Sequence, residues 1–215
     1  MEDMSPVYEG SAWELRRKLD LLIAQDPELM TFGANLTSKM PDGSIHQAGH
    51  EFKLGDALSE DELRHFEESY GITLPPDYRA FLKCVGNGGA GPGYGLAPLG
   101  SGVRRKSETD GSAYLSTPFE VTHHIGYGGF SEDERPFAED EGGGCYHGCL
   151  YLAHEGCGMY EFLVVTGPCR GQVWMDDCCN DTGIFPMDVN FYFWYDRWLE
   201  SSFASLYRSK LGLPG

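Results

Sequence analysis

The chain has 215 residues, 41% hydrophobic and 13% aromatic, which is enough to close a sizeable core and excludes wholesale disorder. Thirty-three acidic against sixteen basic residues leave a formal net charge of −17, so nucleic acid and anionic membrane surfaces are poor partners and a basic protein is a good one. No apolar run approaches the roughly 20 residues of a membrane span, and Met1–Pro6 lacks the basic start and apolar core of a secretory signal; a cytoplasmic location is expected, with most of the seven cysteines as free thiols.

The first helix signal is Ser11-Ala12-Trp13-Glu14, read as a capping box. Leu15, Leu19, Leu22 and Ile23 follow on one face, and Asp26-Pro27 ends the helix. Residues 31–56 read as turns with one short hairpin around Asp42-Gly43. A second capping box, Ser59 to Glu62, opens a helix whose stripe is Leu63, Phe66 and Tyr70 and whose stop is Gly71. Leu74-Pro75-Pro76 opens another, with Tyr78, Phe81, Leu82 and Val85 on one face and Gly86 as its end.

Beyond the glycine-rich stretch 86–95 the pattern turns strand-like. Tyr94–Leu99 and Ala113–Val121 read as strands, the second weakened by Pro118. Residues 126–144 read as loop, carrying Glu132, Asp133, Glu134, Glu139, Asp140 and Glu141 against the single Arg135. A meander follows, with strands at Cys149–His154, Met159–Thr166, Gln172–Asp176 and Gly183–Pro186. The closing helix aligns Phe191, Trp194, Tyr195, Trp198 and Leu199, extended by Phe203 and Leu206. Helices, then antiparallel strands, then a helix give an α+β class with a single, mainly antiparallel sheet packed by helices.

Each catalytic motif fails in its own context. Gly86-Asn87-Gly88-Gly89-Ala90-Gly91 has the dinucleotide spacing, but a helix precedes it and a turn follows, the reverse of what phosphate binding needs. Cys145, His147, Cys149, His154 and Cys157 offer zinc-type ligands without a paired two-residue knuckle, and strand alternation sends Cys149 and His154 to opposite faces. No signature surrounds Cys84, Cys157 or Cys169 that would make one a nucleophile. The reading is therefore of no catalytic residues, no metal and no cofactor. His123-His124 have no evident partners, and the tryptophans belong to the core or its edge, with Trp174 the most suited to line a groove.

Several segments taken together resemble the SUKH superfamily, whose members include yeast cell-wall-synthesis regulators and many bacterial immunity proteins. They are Leu58-Ser59-Glu60 through Glu67, Gly71-Ile72-Thr73-Leu74-Pro75-Pro76-Asp77-Tyr78-Arg79-Ala80-Phe81-Leu82, Gly86–Pro92, Tyr94–Leu99, Gly156-Cys157-Gly158, Leu163–Pro168, Gly171–Trp174 and Phe193–Leu199. The resemblance covers about residues 50–205 and implies a sheet packed by helices in a binding module without catalytic residues. It divides the chain into an N-terminal helical extension at 1–50, a SUKH-like domain at 51–208 with an acidic insertion near 131–144, and a tail at 209–215.

The partner implied is a cognate toxin, basic and of nuclease or deaminase type; a regulatory scaffold is the alternative. Inhibitors of nucleases commonly present carboxylates where the target expects phosphate. The candidate partner-facing residues are accordingly Glu132, Asp133, Glu134, Glu139, Asp140 and Glu141, with Trp174, Asp176, Asp177 and Asp181 at the end of the third meander strand. Solubility alone is the other reading of the charge.

Overall fold

The computed structural model describes residues 5–39, 45–47, 49–101, 113–126, 128 and 146–213. Helix α1 spans Ser5–Gln25. It starts a turn and a half before the expected cap, because Pro6 suits a first turn where no N–H is needed. Ser11 therefore lies inside the helix, and its hydroxyl donates to the Val7 carbonyl at 3.2 Å. Ala12, Leu15, Leu19 and Leu22 are buried, while Ile23 falls at the margin of the stripe and stays exposed. The buried Asp26 carboxylate orders the turn that follows, accepting from the Met30 and Thr31 amides at 2.7 and 2.8 Å. Strands β1 (Thr37–Lys39) and β2 (Ile45–Gln47) pair antiparallel on either side of the expected hairpin turn, itself outside the described residues.

Helix α2 (Glu60–Tyr70) has the predicted capping box: the Ser59 hydroxyl accepts from the Glu62 amide, and Glu62 accepts from the Ser59 amide at 2.8 Å. Gly71 stops it at φ 63°. Helix α3 (Pro76–Cys84) ends at Val85 rather than at Gly86. The segment Leu74–Leu82 fastens three helices. The Arg79 guanidinium binds Glu67 on α2 at 3.2 Å and Glu60 at 2.5 Å. Asp77 accepts from the Tyr192 amide at the start of the last helix at 3.1 Å. Tyr78 and Phe81 pack against Phe191, with ring centroids 4.7 and 5.0 Å apart.

The strands expected at Tyr94–Leu99 and Ala113–Val121 do not form. The 94–97 segment lies along the sheet edge, Tyr94 and Ala97 donating to the His154 and Leu152 carbonyls at 2.9 and 2.7 Å. Gly93 and Gly95 at positive φ keep it from being a regular strand. Ala113–Ser116 is a single-turn helix, α4, that buries Tyr114 and Leu115 before Pro118 breaks the chain away.

The sheet is the predicted meander: β3 (Cys149–Gly156), β4 (Met159–Val164), β5 (Gln172–Asp177) and β6 (Gly183–Asn190), antiparallel throughout and in that order. β6 is an edge strand and so tolerates Pro186. The register shift between Tyr151 and Ala153 leaves Leu152 as an extra residue in β3. Helix α5 (Phe191–Lys210) begins at Asn190, whose side chain accepts from the Phe193 amide. Among the described residues no helix is long and apolar enough to cross a membrane.

Alternation gives the sheet two different covers. One face, carrying Glu161 and Met175, turns to α5, where the Trp194 indole donates to Glu161 Oε1 at 2.9 Å. Phe162 and Trp174 point the other way, onto Phe119 and Tyr146. α1 packs on α3 and α5, placing its leucine stripe in the same core. Lys18 binds Asp196 and Glu200 of α5 at 2.6 and 2.7 Å, and Lys83 of α3 binds Glu9 at 2.8 Å.

Candidate partner-binding surface

The glycine-rich run is a structural turn. Gly89 and Leu96 exchange backbone hydrogen bonds at 2.7 Å, and the Ala90 amide donates to the Lys53 carbonyl. A Cβ on Gly89, at φ 101°, would sit 2.1 Å from that carbonyl oxygen, so only glycine passes. These amides are occupied and do not face an anion. Among the described residues no group of three or more His, Cys, Asp and Glu is placed to hold a metal ion, and Cys145 lies outside them. Cys149 and Cys169 are buried. The Cys84 and Cys179 thiols are pushed up by desolvation, with Glu9 and Asp177 adding to the effect, which works against a reactive thiolate.

The ten residues expected to face a partner separate into three groups. Glu132, Asp133, Glu134, Glu139, Asp140 and Glu141 lie outside the described residues. Trp174 and Asp176 belong to the core, which corrects the expectation that they line a surface. Trp174 is 0% exposed, wedged by Phe119 with ring centroids 5.1 Å apart. Asp176 is 2% exposed; it accepts from the Tyr146 hydroxyl at 2.8 Å and from the Cys178 amide at 3.0 Å. Both point to the side of β5 that Phe119 and Tyr146 cover, so alternation buries them together.

Asp177 and Asp181 share the turn between β5 and β6. Asp177 is half-buried and accepts from Asn180 Nδ2 at 2.5 Å, while Asp181, at φ 61°, is exposed. Tyr146, where the described chain resumes after the acidic run, reaches Asp176 beside this turn.

A cavity of about 530 Å³ opens on the helix-covered face, and nothing in the sequence pointed to it. Its walls are Met159, Met175 and Met187 from the sheet, Trp194 and Trp198 from α5, and the 31–32 and 92–93 segments. Gly93 can close one side because its backbone runs against β3; a Cβ there would lie 2.3 Å from the His154 carbonyl oxygen. Two buried polar atoms lining it, Glu161 Oε2 and Thr31 Oγ1, have no hydrogen-bond donor or acceptor assigned to them.

Glu161 is 3% exposed. Desolvation, with the Glu155 carboxyl beside it, drives its pKa up to about 8 against the pull of the Trp194 indole. The sequence did carry a signal: Glu161 shares its strand face with Leu163, a charged residue where alternation asks for an apolar one.

A four-stranded antiparallel meander with helices on one face, entered through the α2–α3 pair and closed by α5, defines an α+β fold built around one main sheet. Residues 57–197 match the family model described as SMI1 / KNR4 family (SUKH-1), the larger part of the chain. The protein belongs to that family, within the SUKH superfamily. No curated protein matches the chain.

Proposed function

We propose that this protein is a non-catalytic binding module, and specifically an immunity protein that neutralises a cognate bacterial toxin, intracellular or contact-dependent, in the cytoplasm. The observation that carries the reading is membership of the SUKH-1 family joined to a net charge of −17. Such a chain attracts and orients a basic partner such as a nuclease or deaminase domain. Asp177 and Asp181 of the β5–β6 turn are candidate contacts for that partner, as are the carboxylates of the acidic run Glu132–Glu141. Asp176 and Trp174 support this face from inside the core. The module requires no cofactor.

The test is protection. A toxin domain encoded beside this chain is expressed in susceptible cells with and without it, and survival is counted. Rescue by the native protein, weakened by simultaneous charge reversal at Glu132, Asp133, Asp177 and Asp181, is the expected result. The association rate should also fall and become less salt-sensitive in that variant. Full rescue by the variant removes the acidic face from the reading; no rescue by the native protein removes the toxin. The SUKH superfamily that the sequence resembles includes regulators, so a chain with no toxin gene beside it is read as a regulatory scaffold.

A further inference from the structure

The cavity beneath α5 joins apolar walls to buried polar atoms that have no assigned partner. Its walls are three methionines and two tryptophans, soft polarisable surfaces that suit an alkyl chain and, for the indoles, a positive charge. Two of its buried polar atoms, Glu161 Oε2 and Thr31 Oγ1, can accept and have no donor assigned, and the Glu155 carboxyl lines the cavity with them. An ammonium group brings three donors and no acceptor, the complement of that set. The rim presents Phe32 at 60% and Tyr94 at 45% exposure, their rings 6.4 Å apart, beside the equally exposed Met30. Exposed aromatics around a polar-floored pocket are how protein surfaces anchor a partner's side chain.

We propose that this cavity receives a lysine side chain from a protein partner, its ammonium seated on Glu161, Glu155 and Thr31 and its stem between the methionines and Trp194. A protein is the source because the apolar rim needs a contacting surface that a free amine would not cover, and because the net charge of −17 favours basic proteins. This goes beyond the binding role above and holds whether or not the partner is a toxin.

The ammonium takes the place of the proton that burial holds on the Glu161 carboxyl, so binding releases a proton and tightens as pH rises from 6 toward 8. Glu155 from β3 and Arg197 from α5 are the charged groups lining the cavity with Glu161; β5 and β6 contribute only Met175 and Met187. Arg197 is solvent-exposed at the mouth, where its charge is screened.

The Trp194 indole N–H reports on the site directly, since it donates to Glu161. The full chain, labelled with nitrogen-15, is titrated with a capped Gly-Leu-Lys-Leu-Gly peptide, its norleucine counterpart and n-butylammonium. The expected result is a shift of the Trp194 indole resonance with the lysine peptide alone, lost by at least about tenfold in affinity in Glu161→Gln. Glu155→Gln, at a half-buried position, gives the same readout should the first variant not fold. A still indole resonance, an equal response to norleucine, or unchanged affinity in these variants overturns the proposal. Binding of n-butylammonium as tight as that of the peptide overturns the protein source.

Discussion

Glu161 and His50 are buried ionisable groups that pull the stability of this protein in opposite directions along the pH axis. The Glu161 carboxyl titrates near 8 when folded and near 4.5 when unfolded. As pH rises through that window the unfolded chain ionises first, and the folded state loses stability at up to about 1.4 kcal/mol per unit. His50 is held down to about 4 by burial, its Nδ1 accepting from the Phe52 amide at 3.0 Å. The unfolded imidazole protonates first as pH falls below 6.5, so the folded state loses stability from there to about 4.

Glu161→Gln keeps an acceptor for the Trp194 indole and removes the ionisation. Urea midpoints should therefore show this variant gaining on the native protein between pH 5 and pH 8, and equal gains at both values would refute the assignment. The same two residues mark the edge of what the sequence revealed. A lone Glu in an apolar strand could be seen, but its neighbours Glu155, Met175 and Trp194 meet it only through strand register and helix docking.

At the scale of elements, the helices that carry their own punctuation were legible. Ser59 and Glu62 cap α2, Gly71 stops it, and Pro76 opens α3, all through contacts within a few residues. The meander was legible for a related reason, since each strand pairs with the next one along the chain. The errors fall where long-range packing decides. Ala113–Ser116 becomes a helical turn because Tyr114 and Leu115 must reach the core, and Trp174 is covered by Phe119 from a segment with no strong local pattern. Ser11 had the right spacing for a cap, yet Pro6 had already started the helix.

Helix α1 stands outside the matched residues 57–197, but its stripe is fully enclosed by α3 and α5. Leu19→Ala should cost about 2–5 kcal/mol, as expected for a leucine lost from a closed core. A chemical-denaturation shift below about 1 kcal/mol would mean that α1 is only loosely attached.

For the whole molecule, a charge of −17 on 215 residues means that the folded state is compressed against its own repulsion. Several ion pairs on the described surface link elements, as those of Lys18 and Arg79 do, but they do not neutralise the excess. Raising sodium chloride from 0.01 to 0.15 M shortens the Debye length from roughly 30 to 8 Å and relieves that repulsion. The melting temperature should rise by a few degrees over this interval; a fall would show that the interhelical pairs outweigh the net charge.

The clasp between the first helix and the last also governs how the chain is made. α1 is synthesised some 185 residues before α5, an interval of about ten seconds or more at ordinary synthesis rates. Until then Leu15, Leu19 and Leu22 have α3 alone to lie against, while Lys18 waits for Asp196 and Glu200. A nascent chain with an unsheathed leucine stripe is a natural client for a chaperone until the closing helix has been made and docked.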